Sequence, residues 1–104
     1  MTEEQWVFVC DSDELEDEEA LRFDHGSRTF AIYNLAGEIF ATDGHCTHEK
    51  QHLADGLVYD GIIECPLHMG QFDIKTGEAI SGPVCINLQT YGVKSEGGKI
   101  FIRL

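Results

Sequence analysis

Residues 44–73 read GHCTHEKQHLADGLVYDGIIECPLHMGQFD, and the fold is decided there. At the centre, Leu57-Val58-Tyr59 and Ile62-Ile63-Glu64 flank Asp60-Gly61. Two short apolar-rich runs around Asp-Gly predict a β-hairpin, because both central positions of such a turn need positive φ. On each side the periodicity is lost. Residues 43–56 hold two Gly, three His and one Cys, and residues 65–71 form a second irregular stretch. An irregular segment as long as the first in a short chain usually carries function.

Outward from this centre the chain reads as short strands. Trp6-Val7-Phe8-Val9 is one, and Ser12 or Asp13 is placed to cap a single helical turn through Glu16. Ala20 to Phe23, Arg28 to Tyr33 and Glu38-Ile39-Phe40-Ala41 form a predicted meander. Beyond the centre, Phe72 to Ile74 and Glu78 to Ile80 flank Thr76-Gly77, and Ser81-Gly82-Pro83 breaks the chain. Asn87 to Ser95 and Lys99 to Leu104 flank Gly97-Gly98 as a terminal hairpin. No segment of twelve residues or more carries a 3.6-residue period. The expectation is an all-β sandwich or small barrel in one domain, residues 1–104, which matches a chain of 104 residues.

The charge narrows the function. Seven Lys and Arg stand against nineteen Asp and Glu, a formal net charge of −12, which argues against nucleic acid or an anionic membrane as partner. Most of the excess lies in 11–19, a solvated segment or a surface that steers a basic partner. No apolar run reaches the ~20 residues of a membrane span, and the acidic start MTEEQ lacks the features of a signal peptide, so a cytoplasmic protein is expected.

Cys46-Thr47-His48 lies in the first irregular stretch and Cys65-Pro66-Leu67-His68 in the second. Each offers one thiolate and one imidazole, and a tight hairpin between them can bring the pairs face to face. Two soft and two borderline donors suit a tetrahedral zinc ion or an iron–sulfur cluster. A single residue between Cys46 and His48 is poor spacing for chelating one ion. The order Cys-His…Cys-His suits a binuclear centre better, with the two cysteines on one iron and the two histidines on the other.

That pattern resembles the Rieske motif. The stretches ATDGHCTH (41–48), ADGLVYDGIIECPLHMGQFDIKTGEA (54–79), GPV (82–84) and TYGVK (90–94) are similar to the small Rieske [2Fe–2S] ferredoxins of bacterial aromatic-ring dioxygenase systems, of the naphthalene and biphenyl kind. The resemblance implies an antiparallel β-sandwich base with a small cluster-binding lobe of two loops, about 43–83. It implies one [2Fe–2S] cluster held by Cys46, His48, Cys65 and His68, and a cover loop around Gly82-Pro83. It also implies a one-electron carrier without catalysis of its own, serving aromatic hydrocarbon catabolism. Its partners would be a flavin-dependent reductase and a terminal ring-hydroxylating oxygenase, and the carrier is expected to be a monomer. Docking is assigned to a rim of Gln51, Leu67, Met69 and Pro83. The rival readings are a Rieske-like small subunit of a larger redox enzyme such as nitrite reductase, and a structural zinc module.

The chain departs from the pattern at Met69, where the family often has Gly after the second histidine. Gln51 and Leu67 stand where high-potential respiratory members carry an extra cysteine pair, which disfavours that branch. A length of 104 residues leaves no room for a mononuclear-iron catalytic domain. Of the remaining residues, Cys10 and Cys85 are expected to be packing cysteines, His45 and His52 loop residues, and Trp6 and the phenylalanines core.

Overall fold

The computed structural model describes residues 5–47, 50–67, 69–81 and 86–104; His48, His68, Pro83 and Cys85 fall outside them. Among the described residues eleven strands form three antiparallel sheets. In chain order they are β1 (Trp6–Asp11), β2 (Glu19–His25), β3 (Arg28–Leu35), β4 (Glu38–Asp43), β5 (Leu57–Tyr59), β6 (Ile62–Glu64), β7 (Gln71–Asp73), β8 (Ala79–Ser81), β9 (Thr90–Tyr91), β10 (Val93–Glu96) and β11 (Lys99–Arg103). The sheets run β1-β11-β10, β2-β3-β4-β9 and β5-β6-β7-β8.

The strand that organises them is β3. Phe30, Ala31, Ile32 and Tyr33 are all fully buried. Successive side chains of a strand point to opposite faces. Phe30 and Ile32 therefore enter a core with Cys10, Leu15, Ala41, Ile100 and Ile102. Ala31 and Tyr33 enter a second core with Cys46, Leu53, Val58, Ile63, Cys65, Phe72, Ile74 and Leu88. The first core joins the middle sheet to β1-β11-β10 and makes the sandwich. The second joins the middle sheet to β5–β8, which form the lobe. Tyr33 ends its burial on a hydrogen bond between its hydroxyl and Thr42 Oγ1 at 2.9 Å, and burial raises its pKa.

The predicted central hairpin forms with Leu57, Val58 and Tyr59 opposite Glu64, Ile63 and Ile62. Asp60 and Gly61 take φ of 51° and 75°, the positive values a two-residue turn of this hand requires. Elsewhere the structure corrects the sequence reading. The predicted strand 87–95 is two strands, β9 on β4 and β10 on β11. The chain changes sheet at Gly92, whose missing Cβ leaves room for the Arg103 guanidinium, 3.1 Å from where a Cβ would stand. The first helical turn is a 3-10 turn over Ser12–Glu14 capped at Asp11, one or two residues before the expected Ser12 or Asp13, and it ends at Glu14 rather than Glu16. Glu14 Oε2 there accepts the Asp11 N–H at 2.8 Å. Phe8 is 48% exposed, and among the described residues no layer covers the outer face of β1. It meets Phe101 edge-on, with ring centroids 5.9 Å apart.

Candidate metal centre

Cys46 and Cys65 open two loops of the same construction. The Cys46 N–H donates to the Gln51 carbonyl at 2.9 Å, and the Cys65 N–H to the Gly70 carbonyl at 2.8 Å. Each bond closes a loop at the fifth residue along. Each loop grows from an antiparallel neck. In the first, His45 bridges His52 and the Leu53 N–H donates to the Gly44 carbonyl at 2.7 Å. In the second, β6 and β7 are the neck, with Glu64 opposite Gln71. Both cysteines are buried thiols, 6% and 0% exposed, in the one lobe core. His48 falls within the first loop by sequence and His68 within the second. Their placement lies outside the described residues. A pair of buried thiols, each followed two or three residues on by an imidazole in a closed loop, fits the donor set of a cluster with unlike ends.

Of the rim residues, Leu67 and Met69 are 39% and 69% exposed. Gln51 is half-buried, and Pro83 lies outside the described residues. Met69 takes φ of 57°, a left-handed backbone that favours glycine. This gives the physical basis for a small residue at that position. Sequence reasoning missed Ile86, which is 62% exposed. Its carbonyl accepts the Thr47 hydroxyl at 2.7 Å, which ties the segment after 85 to the first loop between Cys46 and His48. Nothing in the residue pattern around Ile86 signals this, since the bond spans 39 positions.

His52 lies in the first irregular stretch, as expected, but it is buried there. It is 5% exposed and hydrogen-bonded through both ring nitrogens, to Ala54 N and to Thr29 Oγ1. Burial foremost, then the charges of Arg22 and His45, lower its pKa from the usual histidine value, with Asp55 and Asp24 pulling the other way. Cys10 behaves as predicted: it packs in the sandwich core, and burial and the neighbouring carboxylates raise its pKa. Away from the loops, Asp17, Glu18, Glu38, Asp60 and Asp73 line a cleft of about 570 Å³ between base and lobe, with Lys75 the one base there among the described residues. The acidity noted in 11–19 thus continues onto the lobe.

The family model of the Rieske [2Fe-2S] domain matches residues 5–92. The ferredoxin component of a naphthalene 1,2-dioxygenase system of Pseudomonas aeruginosa is 40% identical over 101 residues, covering 97% of each chain. The solved ferredoxin of Sphingomonas yanoikuyae B1 superposes with a TM-score of 0.90 at 38% identity, covering 96% of this chain and 99% of that one. A ferredoxin in a complex of reduced oxygenase and oxidized ferredoxin of carbazole 1,9a-dioxygenase superposes at 0.89 with 28% identity, over 93% and 91% of the two chains.

Proposed function

The chain belongs to the Rieske [2Fe-2S] domain family, and from that membership we propose how its own residues serve the cluster and its partners. The protein carries one [2Fe–2S] cluster and is the electron-transfer component of a dioxygenase system, delivering electrons to a terminal oxygenase. When bound, the cluster takes up one electron and gives it back. In our reading the thiolates of Cys46 and Cys65 hold one iron and the imidazoles of His48 and His68 the other. The observation that carries this reading is the matched pair of loops, each opened by a buried cysteine and closed by the same backbone bond. The thiols must be deprotonated to bind metal, so assembly releases protons and the cluster in turn holds the loops together.

The donor is a flavin-dependent reductase, and the carrier works as a cytoplasmic monomer in which residues 1–104 form one domain. Among the described residues no helix is long and apolar enough to cross a membrane. Docking uses the rim of Gln51, Leu67, Met69 and Pro83, to which we add Ile86. A small apolar patch with charge set further out suits a contact that must form and release quickly. The net charge of −12 steers basic patches of the partners toward it.

The test is an EPR spectrum of the reduced protein together with His68→Ala. A Rieske signal in the parent and its loss with the visible colour in the variant are expected. A His68→Ala protein with full iron and an unchanged spectrum would overturn the ligand assignment.

A further inference from the structure

The neck of the first loop is held to the base of the molecule by a side chain that no motif marks. His52 Nδ1 accepts the Ala54 N–H at 3.0 Å. A neutral imidazole with that nitrogen unprotonated carries its proton on Nε2. Nε2–H then donates to Thr29 Oγ1 at 2.9 Å. The Thr29 hydroxyl donates onward to Asp24 Oδ1, and Arg22 Nε donates to the same carboxylate at 3.1 Å. Donors and acceptors therefore run one way from the neck to the β2–β3 hairpin, where Asp24 and Thr29 are opposite one another in register. In such a chain each bond polarises the next.

The backbone is built around this contact. The Gly44 N–H donates to the Thr29 carbonyl at 3.0 Å, and the Gly44 carbonyl accepts from Leu53. A Cβ on Gly44 would stand 2.6 Å from His52 Nε2 and 3.0 Å from Phe30 N, so only glycine lets the ring reach Thr29. The ring also lies edge-on to His45, with centroids 5.6 Å apart, on the opposite strand of the neck. Both sides of the neck, 44–46 and 51–53, thus meet the His52–Thr29 pair or its immediate neighbours.

We propose that His52, acting through Thr29, is the positioning residue of the first ligand loop. It locks the neck of residues 46–51 onto the β2–β3 hairpin and so fixes where Cys46 presents its thiolate to the cluster. It touches neither iron nor partner. The inference rests on the reading of Cys46 as a ligand.

The test follows bleaching of the visible absorption of the purified holo-protein in a ferrous chelator, bathophenanthroline disulfonate, alongside thermal melting. His52→Asn keeps an acceptor for the Ala54 N–H, since Asn is a good cap, but cannot reach Thr29. Thr29→Val removes the same link from the other side, and Thr29→Ser keeps it. Ile100→Val, in the sandwich core away from the loops, is the control for a general loss of stability. Bleaching about tenfold faster is expected in His52→Asn and in Thr29→Val, the factor equivalent to ~1.4 kcal/mol. The double variant should be no faster than either single, because both remove one link. Thr29→Ser and Ile100→Val should bleach like the parent. Bleaching within twofold of the parent in His52→Asn and Thr29→Val overturns the inference. So does an additive double variant, or an Ile100→Val protein of similar melting temperature that bleaches as fast. A parent without a Rieske EPR signal would instead overturn the ligand reading on which the inference rests.

Discussion

Met69→Gly separates docking from stability. Met69 holds φ of 57°, where an L-residue bears a cost of roughly 1 kcal/mol from its Cβ. Glycine escapes that cost but loses about 0.4–1 kcal/mol through the greater freedom of its unfolded chain. The two nearly cancel, so the change in stability should stay within about 0.5 kcal/mol and the melting temperature within about 4 °C. Docking should not be spared. The side chain is 69% exposed, and fully burying a methionine is worth ~1.5–3 kcal/mol. Covering the exposed part with an oxygenase surface is then worth about 1–2 kcal/mol, or roughly 5- to 30-fold in affinity. The assay is oxygenase turnover against carrier concentration, with melting and the visible spectrum measured on the same holo-protein. The expected result is a KM for the carrier raised about 5- to 30-fold, with kcat and spectrum close to the parent. A KM within twofold of the parent would remove Met69 from the interface. A melting temperature lowered by ~10 °C or more would show that the backbone at 69 is not relieved by glycine.

The acid limb of stability should carry a histidine component. The His52 pKa is lowered in the folded protein, so the unfolded chain binds a proton first as pH falls. The contribution is full above about pH 6.5 and is lost below it as pH falls through the depressed folded value; chemical denaturation of His52→Asn across pH 5–7.5 should lack this component. Gly56→Ala would drive a Cβ into the Glu64 carbonyl at the end of β6, beside Cys65. A loss of roughly 1–3 kcal/mol in denaturation is expected, and an unchanged midpoint would mean that β5 can shift away freely. The reduction potential should lie near the low end of the Rieske range, on the order of −150 mV. Residues 65–73 offer no Ser, Thr or Tyr hydroxyl, and Phe72 is fully buried; a voltammetric value of about +200 mV or more would contradict this. Electron delivery should slow as salt rises through roughly 0.05–0.5 M, and a rate indifferent to salt would exclude steering by the acidic surface.

The sequence by itself determined whatever depends on a few neighbouring residues. Asp60-Gly61 specified the turn of the central hairpin, because positive φ at both positions is a local requirement that this dipeptide meets. The alternation of β2–β4 specified a meander, and the proposed ligand set of Cys46, His48, Cys65 and His68 was read from spacing alone, since donor type and reach are properties of the residues themselves. Tertiary structure decided what depends on partners distant in the chain. The run Phe30-Ala31-Ile32-Tyr33 is apolar on both faces, yet only the packing of two further sheets assigns one face to the sandwich and the other to the lobe. Gly92 reads as one glycine inside a strand; the sheet changes there because β4 pairs with the residues before it and β11 with those after it. Phe8 was expected inside and lies outside, because among the described residues no layer covers that face of β1. His52 and Ile86 carry no motif, and their placement is fixed by bonds to Thr29 and Thr47, which lie 23 and 39 positions away. Hydrogen bonds of that span form only after the hairpins have been brought together, so no local pattern can announce them.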